Sequence, residues 1–362
     1  MKIISTLKLP KIALAGLIAA ACCFPLEKAQ AQDMHFSQYS TVPLYVNPAL
    51  AGHDLDLTFS GNYRSQWKSI ESAYTTMQLS MVQPLYWKGK RDGHFGGLGF
   101  SVFDDRAGQF NNFKTLAINV SAAYNIDLTE DKYHRLSYGM QVGFIQKSID
   151  FENLRWGENY NQFMGYDPSV QVDEGQYKAS KMYPDVSLGA LWYYNPMKNY
   201  LLKGFSAHSG ISAAHVNAPN QSPVDAIKKK LPILLKYHGG LEFSVYKNTV
   251  VSPNVLVMTQ GVDKQYNVGA YIGYILWNRY KNVSNNKART AVQLGVWYRL
   301  EDSFIYSINI RNNNFNLGFS YDMNRSDLYR NAGNTGAYEI SLAVKKYDPK
   351  RRKRKRFSSP LY

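Results

Sequence analysis

Between Asn314 and Asp322 the side chains alternate strictly: Phe315, Leu317, Phe319 and Tyr321 are apolar, while Asn314, Asn316, Gly318, Ser320 and Asp322 are small or polar. In an extended chain successive side chains point to opposite faces, so this spacing builds a strand with one apolar and one polar face. The pattern recurs in Ser303 to Arg311, Gln265 to Leu276, Asp54 to Tyr63 and Thr115 to Asn125. No helix-period stretch of comparable length competes with these five. The chain is therefore expected to be all-β.

The first residues bear on the compartment. Lys2, Lys8 and Lys11 precede an apolar run from Ile12 to Phe24, and Ala29-Gln30-Ala31 follows. This is the order of a secretory signal peptide over residues 1–31, with a mature chain beginning at Gln32. A membrane helix is the alternative, opposed by Pro25 and by a length short of the roughly 20 residues a span needs. A lipidation site at Cys22 is a second, opposed by Ala19 where a leucine is usual. Both cysteines, Cys22 and Cys23, fall within this segment. An exported chain without cysteine has no disulfide framework, thiol nucleophile or thiolate metal site. If such a chain crosses a membrane, it does so as a closed barrel, the β-architecture that pairs every strand edge in hydrocarbon.

The formal charge of +15 suggests an anionic partner until it is divided by region. The signal region contributes a net +3 and Lys345 to Arg356 a net +8, so Gln32 to Val344 carries only +4. That distribution argues against a nucleic-acid groove, and export argues against it further. The basic tail, Lys350, Arg351, Arg352, Lys353, Arg354, Lys355 and Arg356, reads either as a solvated like-charge end or as a contact to anionic lipid headgroups or an acidic periplasmic partner.

Alternating segments between turn signals give about fourteen strands, the even number of a bacterial outer-membrane antiparallel barrel. They run from 54–63 through 184–194 and 265–277 to 337–346. With the N-terminus periplasmic, the long connections Gln146 to Tyr183, Val216 to Lys230 and Met323 to Gly336 are extracellular, while tight ones such as Arg311-Asn312-Asn313 are periplasmic. The expected domains are the signal peptide (1–31), a plug or brace (32–53), the barrel (54–346) and a basic periplasmic C-terminal tail (347–362). Aromatic clusters at strand ends, among them Trp192-Tyr193-Tyr194 and Trp297-Tyr298, are placed at the membrane boundary. Gly336 to Leu342 has the glycine-then-alternating form of a closing strand.

Three segments carry a family resemblance: Gln32 to Tyr39, which includes His35, Phe36, Ser37 and Gln38; Pro43 to Gly52, which includes Asn47 and Pro48; and Asn62, Tyr63, Arg64 with Trp67. Asp105-Arg106-Ala107-Gly108, Pro184-Asp185 and His215 to Pro219 extend it. The chain resembles the PorP/SprF family of the type IX secretion and gliding machinery of Bacteroidetes, from about Gln32 to Val344. The resemblance implies a non-enzymatic outer-membrane barrel. It would assist secretion or surface attachment of a large adhesin by engaging its C-terminal sorting domain, with other type IX components and outer-membrane lipid as partners. By their own chemistry the same residues have structural work: Asn47-Pro48 initiates a turn, and the segment before the first strand is too apolar to hang free. Arg64 with Trp67, and Asp105 with Arg106, are expected near the outer rim, where ion pairing is as good a reading as partner binding.

Catalytic constellations are missing. The seven histidines lie singly, and the chain holds no G-x-S-x-G elbow, H-E-x-x-H or phosphate loop, so no enzyme chemistry and no cofactor are expected. The surface best suited to recognition is the loop after Gln146, where Phe151, Trp156, Tyr160, Phe163 and Tyr166 mix with acidic residues. An inward fold that constricts the lumen is the equal alternative. Rival functions are a porin or hydrophobic-solute channel, and a scaffold to periplasmic ring components.

Overall fold

The computed structural model describes residues 33–346, apart from 68–73, 89–92, 109, 152–156, 162, 168, 171–177, 196–204, 223–228, 247, 277–289, 313 and 326–334. The expected signal peptide, the basic tail and Trp156 lie outside the described residues.

Fourteen antiparallel strands close on themselves. In chain order they are β1 (Leu57–Gln66), β2 (Tyr74–Tyr86), β3 (His94–Ala107), β4 (Phe113–Asp127), β5 (His134–Asp150), β6 (Lys178–Tyr194) and β7 (Phe205–Ala214). They continue with β8 (Leu234–Tyr246), β9 (Thr249–Gln260), β10 (Asp263–Leu276), β11 (Thr290–Arg299), β12 (Ser303–Arg311), β13 (Phe315–Asn324) and β14 (Thr335–Lys346). Closure is made by β14 on β1, from Leu57 opposite Lys346 to Gln66 opposite Ala337. Among the described residues no helix is long and apolar enough to cross a membrane; the strands do so.

The alternation is inverted relative to a water-soluble barrel. On β13 Phe315, Leu317, Phe319 and Tyr321 point outward and exposed, while Ser320 and Asp322 face inward and buried. Leu79, Phe144, Val268, Ile272 and Leu294 continue the outer apolar surface. A contiguous apolar belt around a polar interior suits hydrocarbon, not water.

The rim where β1 begins and β14 ends is called the lower rim, the opposite one the upper. Connections at the upper rim include the long ones after β5, β7 and β13, as expected, but also the two-residue turn between Gln260 and Asp263, where Gly261 takes φ +60°. The lower rim includes the long stretch between Leu276 and Thr290, so loop length divides less cleanly than the sequence suggested.

The lumen is filled by the residues that precede β1. They run down its length from Asp33, at the upper rim beside Gln260 and His215, to Asp54, at the lower rim beside Lys345. The segment is compact because Pro43 and Pro48 each begin a short helical turn, Pro43–Val46 and Pro48–Gly52, where a fixed φ and a missing N–H carry no penalty. Asn47 caps the second turn by accepting the Ala49 N–H at 2.9 Å. Phe36, Val42, Val46 and Leu50 pack against inward Phe103, Ile145, Leu191 and Trp297, an apolar core inside a polar wall. Each large side chain so buried contributes about 1.5–3 kcal/mol.

Three expectations are corrected. The first strand starts at Leu57 instead of residue 54, because Asp54 still belongs to the lumenal segment. Pro184 does not open its strand: β6 runs from Lys178, and its register with β7 begins only at Leu188, so the proline lies where a strand edge has no strand neighbour. Trp297 is not at the membrane boundary; it points inward, 3% exposed, edge-on to Tyr39 at 5.3 Å.

Candidate functional site: the lumenal clasp and the upper rim

Near the upper rim the wall brings together inward side chains of β1, β11, β13 and β14. Arg64 on β1 lies 3.0 Å from Asp322 and 3.5 Å from Glu339. Arg299 lies 3.4 Å from Asp322 and 2.8 Å from Asp302. Into this group the lumenal segment inserts Ser37 and Gln38. The Ser37 N–H donates to Glu339 at 2.7 Å, its hydroxyl donates to Asp322 at 2.6 Å, and Arg64 donates to that hydroxyl in turn. Asn62 donates to Glu339 at 2.8 Å and to Thr41 at 2.7 Å. Arg64 is 2% exposed and Glu339 fully buried, so these charges depend on one another for solvation. His35 sits above them. Burial, then the nearby Arg299 and Arg64, lower its pKa to about 4 and keep it neutral.

A second contact lies at the upper mouth. His215, just past β7, donates or accepts at both ring nitrogens: Nε2 is 2.6 Å from Asp33 and Nδ1 2.7 Å from Asp185. Burial alone would disfavour its charge, but the carboxylates of Asp33 and Asp185 outweigh this and raise its pKa to about 9. Asp33, half-buried, is held below the usual carboxylate range by His215. Asn217 completes the corner, donating to the Pro184 carbonyl at 2.8 Å and accepting the Val186 N–H at 3.2 Å.

The lower half of the segment is held by shape. Asn47 Nδ2 donates to the carbonyls of Ala190 at 3.0 Å and Ile211 at 3.1 Å, and Asn125 donates to the Gly52 carbonyl at 2.6 Å. A Cβ on Gly139 would stand 2.1 Å from the Ala49 nitrogen, and one on Gly97 1.9 Å from the Ala51 carbonyl oxygen. The wall is bare at these points so that the segment's backbone can touch it.

The motif residues therefore divide. Ser37, Gln38, Asn62 and Arg64 meet in the charged cluster, Phe36 enters the apolar core, and Asn47, Pro48 and Gly52 form the lower contact. Tyr63 faces outward near Tyr338 at 6.2 Å. Trp67 is at the upper rim with φ +54°, edge-on to Tyr74. Arg64 and Trp67 are thus separated, one lumenal and one on the rim. Asp105 and Arg106 do not pair either: Asp105 accepts from Thr76 at 2.6 Å, and exposed Arg106 pairs with Asp104 at 2.6 Å. Asp322, Glu339, Arg299 and Asp33 were missed. For Asp322 and Glu339 the signal was charge at inward positions flanked by small inward residues such as Ser320 and Ser341, visible once Arg64 demands a counter-charge.

Of the aromatic loop residues, Tyr160 and Tyr166 pair across a short hairpin with rings 5.6 Å apart. At its tip Phe163 is 91% exposed, and Phe151 lies half-buried at the root. In the described part of this loop Tyr160, Phe163 and Tyr166 are all exposed. Among the described residues no group of three or more His, Asp or Glu side chains is arranged to hold a metal ion.

A closed fourteen-stranded barrel with an apolar outer surface and a polar, self-filled lumen is a membrane barrel of the outer-membrane type. The chain belongs to the family described as type IX secretion system membrane protein PorP/SprF, whose model matches residues 28–344. No curated protein matches it. Solved structures similar to it include the Ralstonia pickettii toluene transporter TbuX (10% identity, TM-score 0.45, 85% of this chain and 94% of that one). A Pseudomonas aeruginosa FadL homologue (8% identity, TM-score 0.40, 85% and 94%) and the KdgM porin (8% identity, TM-score 0.34, 80% and 99%) are also similar.

Proposed function

We propose that this barrel is a non-enzymatic component of type IX secretion that supports export or surface attachment of a large adhesin by binding its C-terminal sorting domain. The observation that carries this reading is the filled lumen. A wall that leaves glycines bare to receive its own N-terminal segment, and locks that segment with buried ion pairs, favours work on the surface over conduction. In this reading the upper rim faces outward, and the hairpin of Tyr160, Phe163 and Tyr166, with Phe151 and Trp156, is the recognition patch, since exposed aromatics anchor protein interfaces. The lower rim is periplasmic, and the basic tail from Lys350 to Arg356 contacts anionic headgroups or an acidic partner there. A secretory signal ends at Ala31, and the mature chain begins at Gln32.

Affinity purification of the tagged protein from native membranes tests the reading: a sorting domain or another secretion component should co-purify, and Phe163→Ala with Tyr166→Ala should reduce its yield. Planar-bilayer recording separates the rival channel. Silence with retained partner binding is expected; steady conductance without any co-purifying secretion component would overturn the assignment.

A further inference from the structure

Between the lumenal segment and the wall of β3 to β8 lies a cavity of about 60 Å³ for the centres of water-sized molecules. Its apolar side is formed by Phe103, Ala117 and Ile145, with Met34 and Tyr45 of the lumenal segment. Its polar side is unbalanced. Lys236, 4% exposed, donates to the Tyr45 carbonyl at 2.5 Å and lies 3.6 Å over that residue's ring. Lys147 donates to Gln221 at 2.7 Å. Among the described residues, neither ammonium group is within ion-pair distance of a carboxylate. The two acids that line the cavity, Asp33 and Asp185, are already bonded to His215. Among the described residues two further groups are buried without a hydrogen-bond partner: the hydroxyl of Tyr183, 4% exposed, and Nε2 of Gln141, 7% exposed.

Asp33 and Asp185 keep acceptor sites beyond their single bonds to His215, but the lining groups left without a hydrogen-bond partner among the described residues are both donors. Two ammonium groups have protons to give, an amide nitrogen can only donate, and a phenol donates readily. Buried donors left without acceptors are costly, so what enters should bring acceptors. A carboxylate presents two oxygens with about four acceptor sites, and its bonds to ammonium groups are of the strong, charge-assisted kind. At roughly 10–15 Å³ per water-sized centre, the volume holds about four to six such centres. That limits the occupant to a molecule of few heavy atoms whose body rests on Phe103, Ala117 and Ile145.

We propose that this cavity is a binding site for a small free carboxylate with a short apolar body, received between Lys147, Lys236, Gln141 and Tyr183. The inference is independent of the adhesin reading, because it concerns the lumen and not the rim.

Equilibrium dialysis of the detergent-purified full-length protein with radiolabelled butyrate is the direct test. Saturable binding of one butyrate per chain is expected, with the uncharged isostere butyramide weaker by at least about tenfold, since bonds to a charged group are the stronger kind. Tyr183→Phe and Gln141→Leu, neither of which touches the lumenal segment by a hydrogen bond, should each weaken butyrate by about tenfold. Heat-modifiable migration on gels reports whether the variants remain folded barrels; should they not, the butyrate and butyramide pair on the parent protein still decides. Absence of saturable binding, as for a cavity that holds water alone, or equal binding of the amide, or unchanged affinity in both folded variants, would overturn the proposal.

Discussion

The two ends of the lumenal segment are held by different physics. At the upper end Asp33, Ser37 and Gln38 are bound by charged side chains: Arg64, Arg299, Asp322 and Glu339 in one group, His215 and Asp185 in the other. At the lower end, apart from the Asp54–Lys345 pair at the rim, Asn47 to Gly52 are held by amide-to-carbonyl bonds and by glycines that let backbones touch. Charge interactions depend on protonation and on every partner's presence; shape depends on neither. The upper contact is therefore the one that rising pH and salt can loosen most, while the lower one rests chiefly on shape.

The sharpest way to break the upper end is to remove one member of its ion group. Arg64→Ala leaves Asp322 and Glu339 buried with half their counter-charge gone, and the loss is expected at about 3–5 kcal/mol in denaturant unfolding monitored by gel mobility. Arg64→Met with Glu339→Gln should recover part of it, because fewer bare charges then remain buried. At the lower end Gly139→Ala adds one carbon facing Ala49 and Pro48, whose backbone cannot turn aside as a flexible side chain would. The expected cost is about 1–3 kcal/mol, independent of pH and salt. A strong salt dependence of that variant would mean that the two ends are not separable.

His215 gives the comparison a pH axis. Its pKa is raised from an ordinary 6.5 to about 9, so the stability it lends is complete below pH 6.5 and is lost as pH rises toward 9. Asp33 is shifted the other way: its contribution is present above its ordinary 3.8 and is lost as acid protonates it. Backbone hydrogen exchange around Asp33 to Ser37 should therefore quicken between pH 6.5 and 9 beyond the intrinsic trend, while exchange at Ala49 to Ala51 should not. His215→Gln should remove the extra dependence. The lower end has its own titrating group, His53, lowered to about 4 chiefly by burial. Its effect runs the opposite way, loosening the contact as pH falls from 6.5 toward 4.

The outward half of the fold was legible in the sequence and the inward half was not. Lipid imposes one rule on every outward position, so Phe315, Leu317 and Phe319 could be placed from alternation alone. Inward positions answer to the lumenal segment, whose path no periodicity reports. Trp297 was misplaced for that reason: its parity makes it lumenal, and only the arrival of Tyr39 explains an indole there. Pro184 misled as a strand start because the free edge that tolerates it is made by the late register of β7. Motif residues were recognised as a set, yet the acids they meet, Asp322 and Glu339, lie between 258 and 302 positions away in sequence and looked like ordinary polar positions of two alternating strands.

Arg106 supplies the control that keeps the comparison meaningful. It belongs to the same motif vocabulary as Arg64 and makes a short pair, 2.6 Å to Asp104, but its side chain is 45% exposed and faces away from the lumen. Both partners are partly exposed outside the lumen, so neither depends on the other for solvation as the lumenal charges do and the pair gains little from their meeting. Arg106→Ala is expected to change unfolding by less than about 1 kcal/mol, with no change in exchange at Ser37 or Ala49. Were it to match Arg64→Ala, burial would not be what gives the lumenal charges their weight, and the division between a charged end and a shape-held end would fall with it.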